Sequence, residues 1–184
     1  GEGDVIIDFS HPSCLENLLA YAKEKKIPAI ICTTGLSAQQ VESIHEAAKE
    51  VPIFFSANMS LGINLIIDLV KRAAKVLEEN YDIEIIEKHH NQKLDAPSGT
   101  ALAIADAIST VLTEKPEYVY DRHSYRKKRE KNEIGIHAIR GGNIVGDHDV
   151  LFAGNNELIQ ISHTATSREV FAEGAVRAAK FMVG

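Results

Sequence analysis

Within its first sixty residues the chain alternates three short buried strand candidates with two helix candidates, and this order constrains the fold more than any other feature. DVIIDFSHP reads as a strand of β-branched residues ending in a Ser/Pro turn. IPAIICTTG reads as a second that meets Gly35, and VPIFFSANMS as a third. Between them, SCLENLLAYAKEKK puts Leu15, Leu18, Leu19 and Ala22 in a helical pattern with lysines near its end. SAQQVESIHEAAKE opens on Ser37, a good helix-capping residue. Strand–helix–strand order predicts a parallel sheet with helical crossovers. Ligands of such sheets lie beyond the carboxyl ends of the strands. Here those ends are Phe9-Ser10-His11, Cys32-Thr33-Thr34-Gly35 and Ser56-Ala57-Asn58-Met59.

The texture then changes. SLGINLIIDLVKRAAKVLEE predicts a long amphipathic helix, DIEIIEKHH a strand with partial alternation, and PSGTALAIADAISTVL another helix. A polar, charged stretch runs to about Glu133. It is followed by three strand candidates, IGIHAIRGG, HDVLFAG and ELIQISHTA, and by a last helix, SREVFAEGAVRAAKFMV. Strands without helices between them imply an antiparallel or mixed sheet, hence a second, α+β domain. The expected domains are 1–58, to which 168–184 returns, and 59–167. A dinucleotide-binding half opens with a strand followed by G-x-G-x-x-G. GEGDV precedes the first strand instead of following one. The first sheet therefore reads as the later part of a Rossmann-like domain whose opening strands lie upstream of Gly1.

Composition narrows the partners. A net charge of −6 argues against a nucleic-acid binder. The one basic run, RKKREK, contains Glu130 and no aromatics, and reads as a solvated loop or helix face. Cys14 and Cys32 are too few for a disulfide framework and lack metal-ligand spacing. No apolar run approaches the roughly 20 residues of a membrane span. With no signal peptide in view, a cytoplasmic protein with reduced thiols is expected.

Chemistry concentrates in EKHHNQKLDAPSGTA. His89 and His90 fall at the carboxyl end of a strand, with Lys93 and Asp95 in the loop beyond. Histidine exchanges protons near neutral pH, and lysine supplies a cation or an acid. Pro97 fixes the entry to the next helix, where Ser98, Gly99 and Thr100 present free backbone N–H groups to an anion. Two imidazoles, an ammonium and a helix N-terminus make a small cationic cup suited to a carboxylate or phosphate. An exposed turn followed by an ordinary cap is the plainer alternative. No metal is expected, since the lysine adds positive charge where ligands would be needed.

These residues resemble the 4-hydroxy-tetrahydrodipicolinate reductase family, whose signature is roughly E-x-H-H-x-x-K-x-D-A-P-S-G-T-A. Residues Glu87 to Ala101 match every specified position. DFSHP, TTG, SANMSLGIN, RGGNIVGDH and SR…FAEGA extend the likeness along the chain. The resemblance implies an NADH- or NADPH-dependent oxidoreductase of diaminopimelate and lysine biosynthesis, forming a homotetramer through the second domain's sheet. It implies His89 as proton donor/acceptor, Lys93 as proton donor, and His90 with Ser98, Gly99 and Thr100 as the grip on a small dicarboxylate. It further implies that Cys32, Thr33, Thr34, Ser56, Ala57, Asn58 and Met59 line the cofactor.

Cys32 replaces a glycine frequent in the family, and reads as a small buried thiol. His11 reads as a turn residue, and His45, His123 and His137 as surface or structural residues. Arg168 either approaches the cofactor or caps the last helix. Two further readings stand beside the reductase: a non-catalytic or truncated assembly domain, and a reductase of another small dicarboxylate.

Overall fold

The computed structural model describes residues 3–183. Gly1, Glu2 and Gly184, which the sequence reading includes in the first domain, lie outside them. The chain divides into two compact units, Gly1–Leu61 with Glu169–Gly184, and Gly62–Arg168.

The first unit carries a parallel three-stranded sheet, β1 (Ile6–Asp8), β2 (Ala29–Ile31) and β3 (Ile53–Phe55), in that order. The register Asp8↔Ile31↔Phe55 aligns the three carboxyl ends. The crossovers are α1 (Leu15–Lys25), entered through a 3-10 turn at Pro12–Cys14, and α2 (Ala38–Ala47). Helix α2 begins in a complete capping box. Ser37 Oγ accepts from Gln40 N, and the Gln40 side chain accepts from Ser37 N. Leu15, Leu19, Ala22, Ile31 and Ile44 form the core on the crossover side. Ile30, Cys32 and Met59 pack with Ala175, Ala178 and Ala179 of the last helix, α5 (Glu169–Val183).

The second unit is a mixed five-stranded sheet in the order β5-β6-β4-β7-β8, comprising β4 (Asp82–His89), β5 (Glu117–Val119), β6 (Glu133–Arg140), β7 (Gly146–Ala153) and β8 (Leu158–Ala165). Strand β4 runs parallel to β6 and antiparallel to β7. Helices α3 (Leu61–Leu77) and α4 (Gly99–Ser109) bury Ile66, Val70, Ala101 and Ile104 against Ile83, Ile85, Ile134, Ile136, Val150 and Phe152. Isoleucine and valine suit this face because β-branched side chains pack well on a pleated surface. Strand β5 was not anticipated in the polar stretch, being only three residues of an edge.

The basic run is the solvated loop expected of it, exposed at Arg126, Lys127, Lys128, Glu130 and Lys131, with Arg129 as the exception. Arg129 is mostly covered and donates to Glu84 Oε1 at 3.0 Å, Asp82 Oδ1 at 2.9 Å and the carbonyl of Glu133 at 2.6 Å. His137 Nε2 meets Glu84 Oε2 at 2.7 Å and is structural. No helix among the described residues is long and apolar enough to cross a membrane.

Candidate active site

Strand alternation places Ile83, Ile85, Glu87 and His89 on one face of β4. The first two belong to the core, so Glu87 is carried into a buried position where its side chain is fully covered. A buried carboxylate needs a cation and hydrogen bonds. Arg140, at the register partner of His89 on β6, supplies both nitrogens of its fork at 2.7 Å. Glu87 Oε1 also accepts from Ser98 N at 2.9 Å, and Oε2 lies 2.7 Å from His89 Nδ1. Burial opposes ionisation of Glu87, but Arg140, His89 and the Ser98 N–H outweigh it. Its carboxyl is therefore held below the ordinary carboxylate range.

The loop from His90 to Ser98 returns the chain to α4. Ala96–Pro97 is a cis peptide bond. Lys93 Nζ meets Asp95 Oδ1 at 2.8 Å. Burial works against the Asp95 carboxylate, yet the Lys93 ammonium more than compensates, leaving the carboxyl below its usual range. His90 Nε2 lies 3.2 Å from Arg168 Nη2, with the always-charged guanidinium as donor. This contact gives Arg168 a place in the second unit, a role neither sequence alternative included. Gly99 is exposed, and a Cβ there would meet nothing within 4 Å, so the helix N-terminus is approachable.

Ser98 is positioned differently from its neighbours. Its hydroxyl accepts from Ala101 N at 3.1 Å and hydrogen-bonds His148 Nε2 at 3.0 Å, and the residue is buried. Its side chain holds the start of the helix, while Gly99 and Thr100 stand at the accessible turn.

His148, on β7, ends the RGGNIVGDH stretch, whose likeness to the family gives it no readable chemistry. It is buried and sits edge-on to His89, with ring centroids 5.3 Å apart. Burial, then the neighbouring His89, pushes its pKa down to about 4. The unfolded chain binds this proton near 6.5, so between about 6.5 and about 4 the unfolded state carries more protons. The stability contributed by neutral His148 is thus complete above about pH 6.5 and is lost as pH falls toward about 4. Urea midpoints measured on both sides of that window are expected to differ less in His148→Gln than in the wild type. An equal acid-induced drop in the two proteins would reject this role.

In the first unit, the carboxyl strand ends present two kinds of surface. Thr33 Oγ1 donates to Asp8 Oδ2 at 2.5 Å, and Cys32, Thr33 and Met59 are all buried. Burial, then the Asp8 charge, raises the Cys32 thiol to about 11, so it is an inert core group. The side chains of these three residues are committed to the scaffold, and only their backbone can face a ligand. Thr34, Gly35 and Ala57 are exposed. Gly35 has φ +74° with open space beside it, and Ser56 Oγ accepts from Asn58 N at 3.3 Å. These small residues stand at the aligned carboxyl ends of the strands, the side of a parallel sheet beyond which ligands lie. Among the described residues, no group of three or more His, Cys, Asp or Glu side chains could hold a metal ion.

Residues 1–59 match the family model described as dihydrodipicolinate reductase, N-terminus, and residues 62–184 match the one described as dihydrodipicolinate reductase, C-terminus. The chain is 63% identical over 183 residues to the 4-hydroxy-tetrahydrodipicolinate reductase of Caldanaerobacter subterraneus, spanning 100% of this chain and 72% of that protein. It is 60% identical to the enzyme of that name from Clostridium tetani, spanning 100% and 71%. Among solved structures it is similar to a dipicolinate-bound dihydrodipicolinate reductase from Paenisporosarcina sp., with a TM-score of 0.77 and 26% identity over 98% of this chain and 69% of that one.

Proposed function

The chain belongs to the dihydrodipicolinate reductase family, and from that premise we propose that it carries out the pyridine-nucleotide-dependent reduction of 4-hydroxy-tetrahydrodipicolinate to tetrahydrodipicolinate in diaminopimelate and lysine biosynthesis. One observation supports this reading above the others. Glu87, paired with Arg140, ties His89 at the end of β4 to Ser98 at the N-terminus of α4, and His90 and Lys93 lie in the short loop between them.

The substrate is a cyclic dicarboxylate with a ring imine and a 4-hydroxyl group. Its two carboxylates suit the cationic cup, with His90 and the Gly99 and Thr100 N–H groups as the grip. NADH or NADPH, when bound, would supply the hydride for ring C4 of the dehydrated substrate. Thr34, Ser56, Ala57 and Asn58, with the backbone of Cys32, Thr33 and Met59, are the residues that would hold it. Lys93 donates a proton, and His89 gives or takes one, so that charge developing on the ring nitrogen is met by cations already in place. The face of the five-stranded sheet opposite α3 and α4 carries Ile86, Ile139 and Leu151, and a homotetramer built on that face is the assembly we infer.

The direct test is oxidation of NADH and of NADPH by the full-length protein with freshly made substrate. Absence of substrate-dependent oxidation with both nucleotides would reject the proposal. The cup has its own test with 2,6-pyridinedicarboxylate, a planar mimic of the substrate. His90→Ala and Thr100→Val are each expected to weaken its binding about tenfold or more, because hydrogen bonds to a charged group contribute about 1.5–3 kcal/mol. Unchanged calorimetric affinity in both variants would contradict the assignment.

A further inference from the structure

A histidine that moves protons does so at one of two ring nitrogens, and the surroundings of His89 select between them. Its Nδ1 lies 2.7 Å from Glu87 Oε2. That carboxylate is clamped by both Arg140 nitrogens at 2.7 Å and by Ser98 N at 2.9 Å, and it is fully buried. An ionised carboxylate can only accept hydrogen bonds, so the proton of a neutral His89 sits on Nδ1. Nε2 is then the nitrogen that exchanges its proton. Gly146 keeps the Nε2 edge uncrowded, since a Cβ there would stand 3.0 Å from that atom.

We propose that Glu87 is a positioning residue for the reduction: with Arg140 as counter-ion it fixes the ring of His89, directs Nε2 to the substrate and supports the charge of the imidazolium form. This inference rests on the proton-transfer role given to His89 above. The same logic governs a histidine held by a buried carboxylate in hydrolases, where the carboxylate sets tautomer and orientation without taking the proton.

Several groups share this environment. Glu87 comes from β4, Arg140 from β6 and neutral His148 from β7, with His163 on β8 as the register partner of His148. Lys93 and Asp95 belong to the loop before α4. Glu87 and Arg140 offset each other, so removing only the carboxylate leaves the guanidinium as an uncompensated positive charge close to His89. In Glu87→Gln, whichever limb of the pH–rate profile His89 sets must then move to lower pH. Loss of the fixed ring orientation also lowers kcat more than it raises KM, because the groups proposed to grip the dianion remain in place.

The experiment is steady-state kinetics of full-length wild type, Glu87→Gln and Glu87→Gln/Arg140→Met across pH, with nitrogen-15 NMR of the wild-type histidines. Expected are a fall in kcat of about 10²-fold in Glu87→Gln with KM nearly unchanged, a limb displaced to lower pH by about one unit, and its partial return in the double variant. NMR is expected to show neutral His89 protonated on Nδ1. A single variant with wild-type kcat, or with lowered kcat and an unmoved limb, would overturn the proposal, as would an Nε2-protonated ring in the wild type. The NMR result stands if the variants do not fold. Wild type that fails to reduce the substrate would reject the reductase reading, and the tautomer would still decide whether Glu87 sets His89.

Discussion

Lys93→Ala is expected to lower kcat by about 10²–10⁴-fold, the range over which a positioned acid accelerates a reaction. Lys93 is well placed for the role. Its side chain is only 21% exposed, its ammonium is 2.8 Å from Asp95 Oδ1, and it stands three residues from His90 on the loop that leads into α4. Its neighbour Asp95 holds the ammonium in one place on that loop, where a substrate docked at the start of α4 could receive its proton. Lys93→Arg separates charge from chemistry, because a guanidinium keeps the positive charge but does not release a proton. If Lys93 served only to attract the dianion, arginine would restore most of the rate. The expected outcome is that arginine restores substrate affinity and leaves kcat low. Full activity in Lys93→Ala would remove the residue from the mechanism.

The second large effect is on stability. Gly174 lies inside α5, where helix propensity alone favours alanine over glycine by about 1 kcal/mol. Packing reverses the sign. A Cβ at Gly174 would fall 1.8 Å from the carbonyl oxygen of Met59 and 2.8 Å from its carbonyl carbon, both backbone atoms that cannot rotate away. Overpacking of this kind costs about 1–3 kcal/mol, and more where the obstacle is rigid. Gly174→Ala is therefore expected to destabilise the first unit by about 3 kcal/mol, with a fall in Tm on the order of ten degrees and weakened NADH binding. Calorimetry showing an unchanged or higher Tm would mean that α5 moves freely over Met59. Gly135 presents a milder version, because the atom its Cβ would meet is the side-chain oxygen Oε2 of Glu84.

Legibility of the sequence followed the physics of each element. The parallel sheet was readable because Ile6, Ile30, Ile31 and Ile53 sit in short apolar runs separated by helices with clear punctuation, including Ser37 with its glutamine three residues on. Strand β5 was not, since Glu117-Tyr118-Val119 is too short for alternation to appear. The proposed cationic cup was readable because its residues are neighbours in the chain. The machinery behind it was not, because Glu87, Arg140 and His148 come together only through strand pairing. One signal was available. Extending the register of Ile83 and Ile85 puts Glu87 inside, and extending that of Ile134 and Ile136 puts Arg140 on the same face, so an inward acid and an inward base on two strands of one sheet call for each other. The side chain of Ser98 joins that hidden layer, its hydroxyl being turned inward to Ala101 N and His148.

The clamp on Glu87 also bears on when the site comes into existence. The carboxylate joins a strand end, a helix start eleven residues later and an arginine 53 residues away. The Ser98 contact is local, but the Arg140 contact cannot form until β6 has closed alongside β4, a nonlocal pairing that folding chains reach late, and without that counter-ion the carboxylate is not held ionised against His89. A partly folded second unit would therefore contain the whole HHNQKLDAPSGTA segment and still lack an aligned His89. Catalysis should appear abruptly with the last long-range closure during refolding, and vanish early when that closure loosens, so that turnover acts as a gauge of the finished sheet.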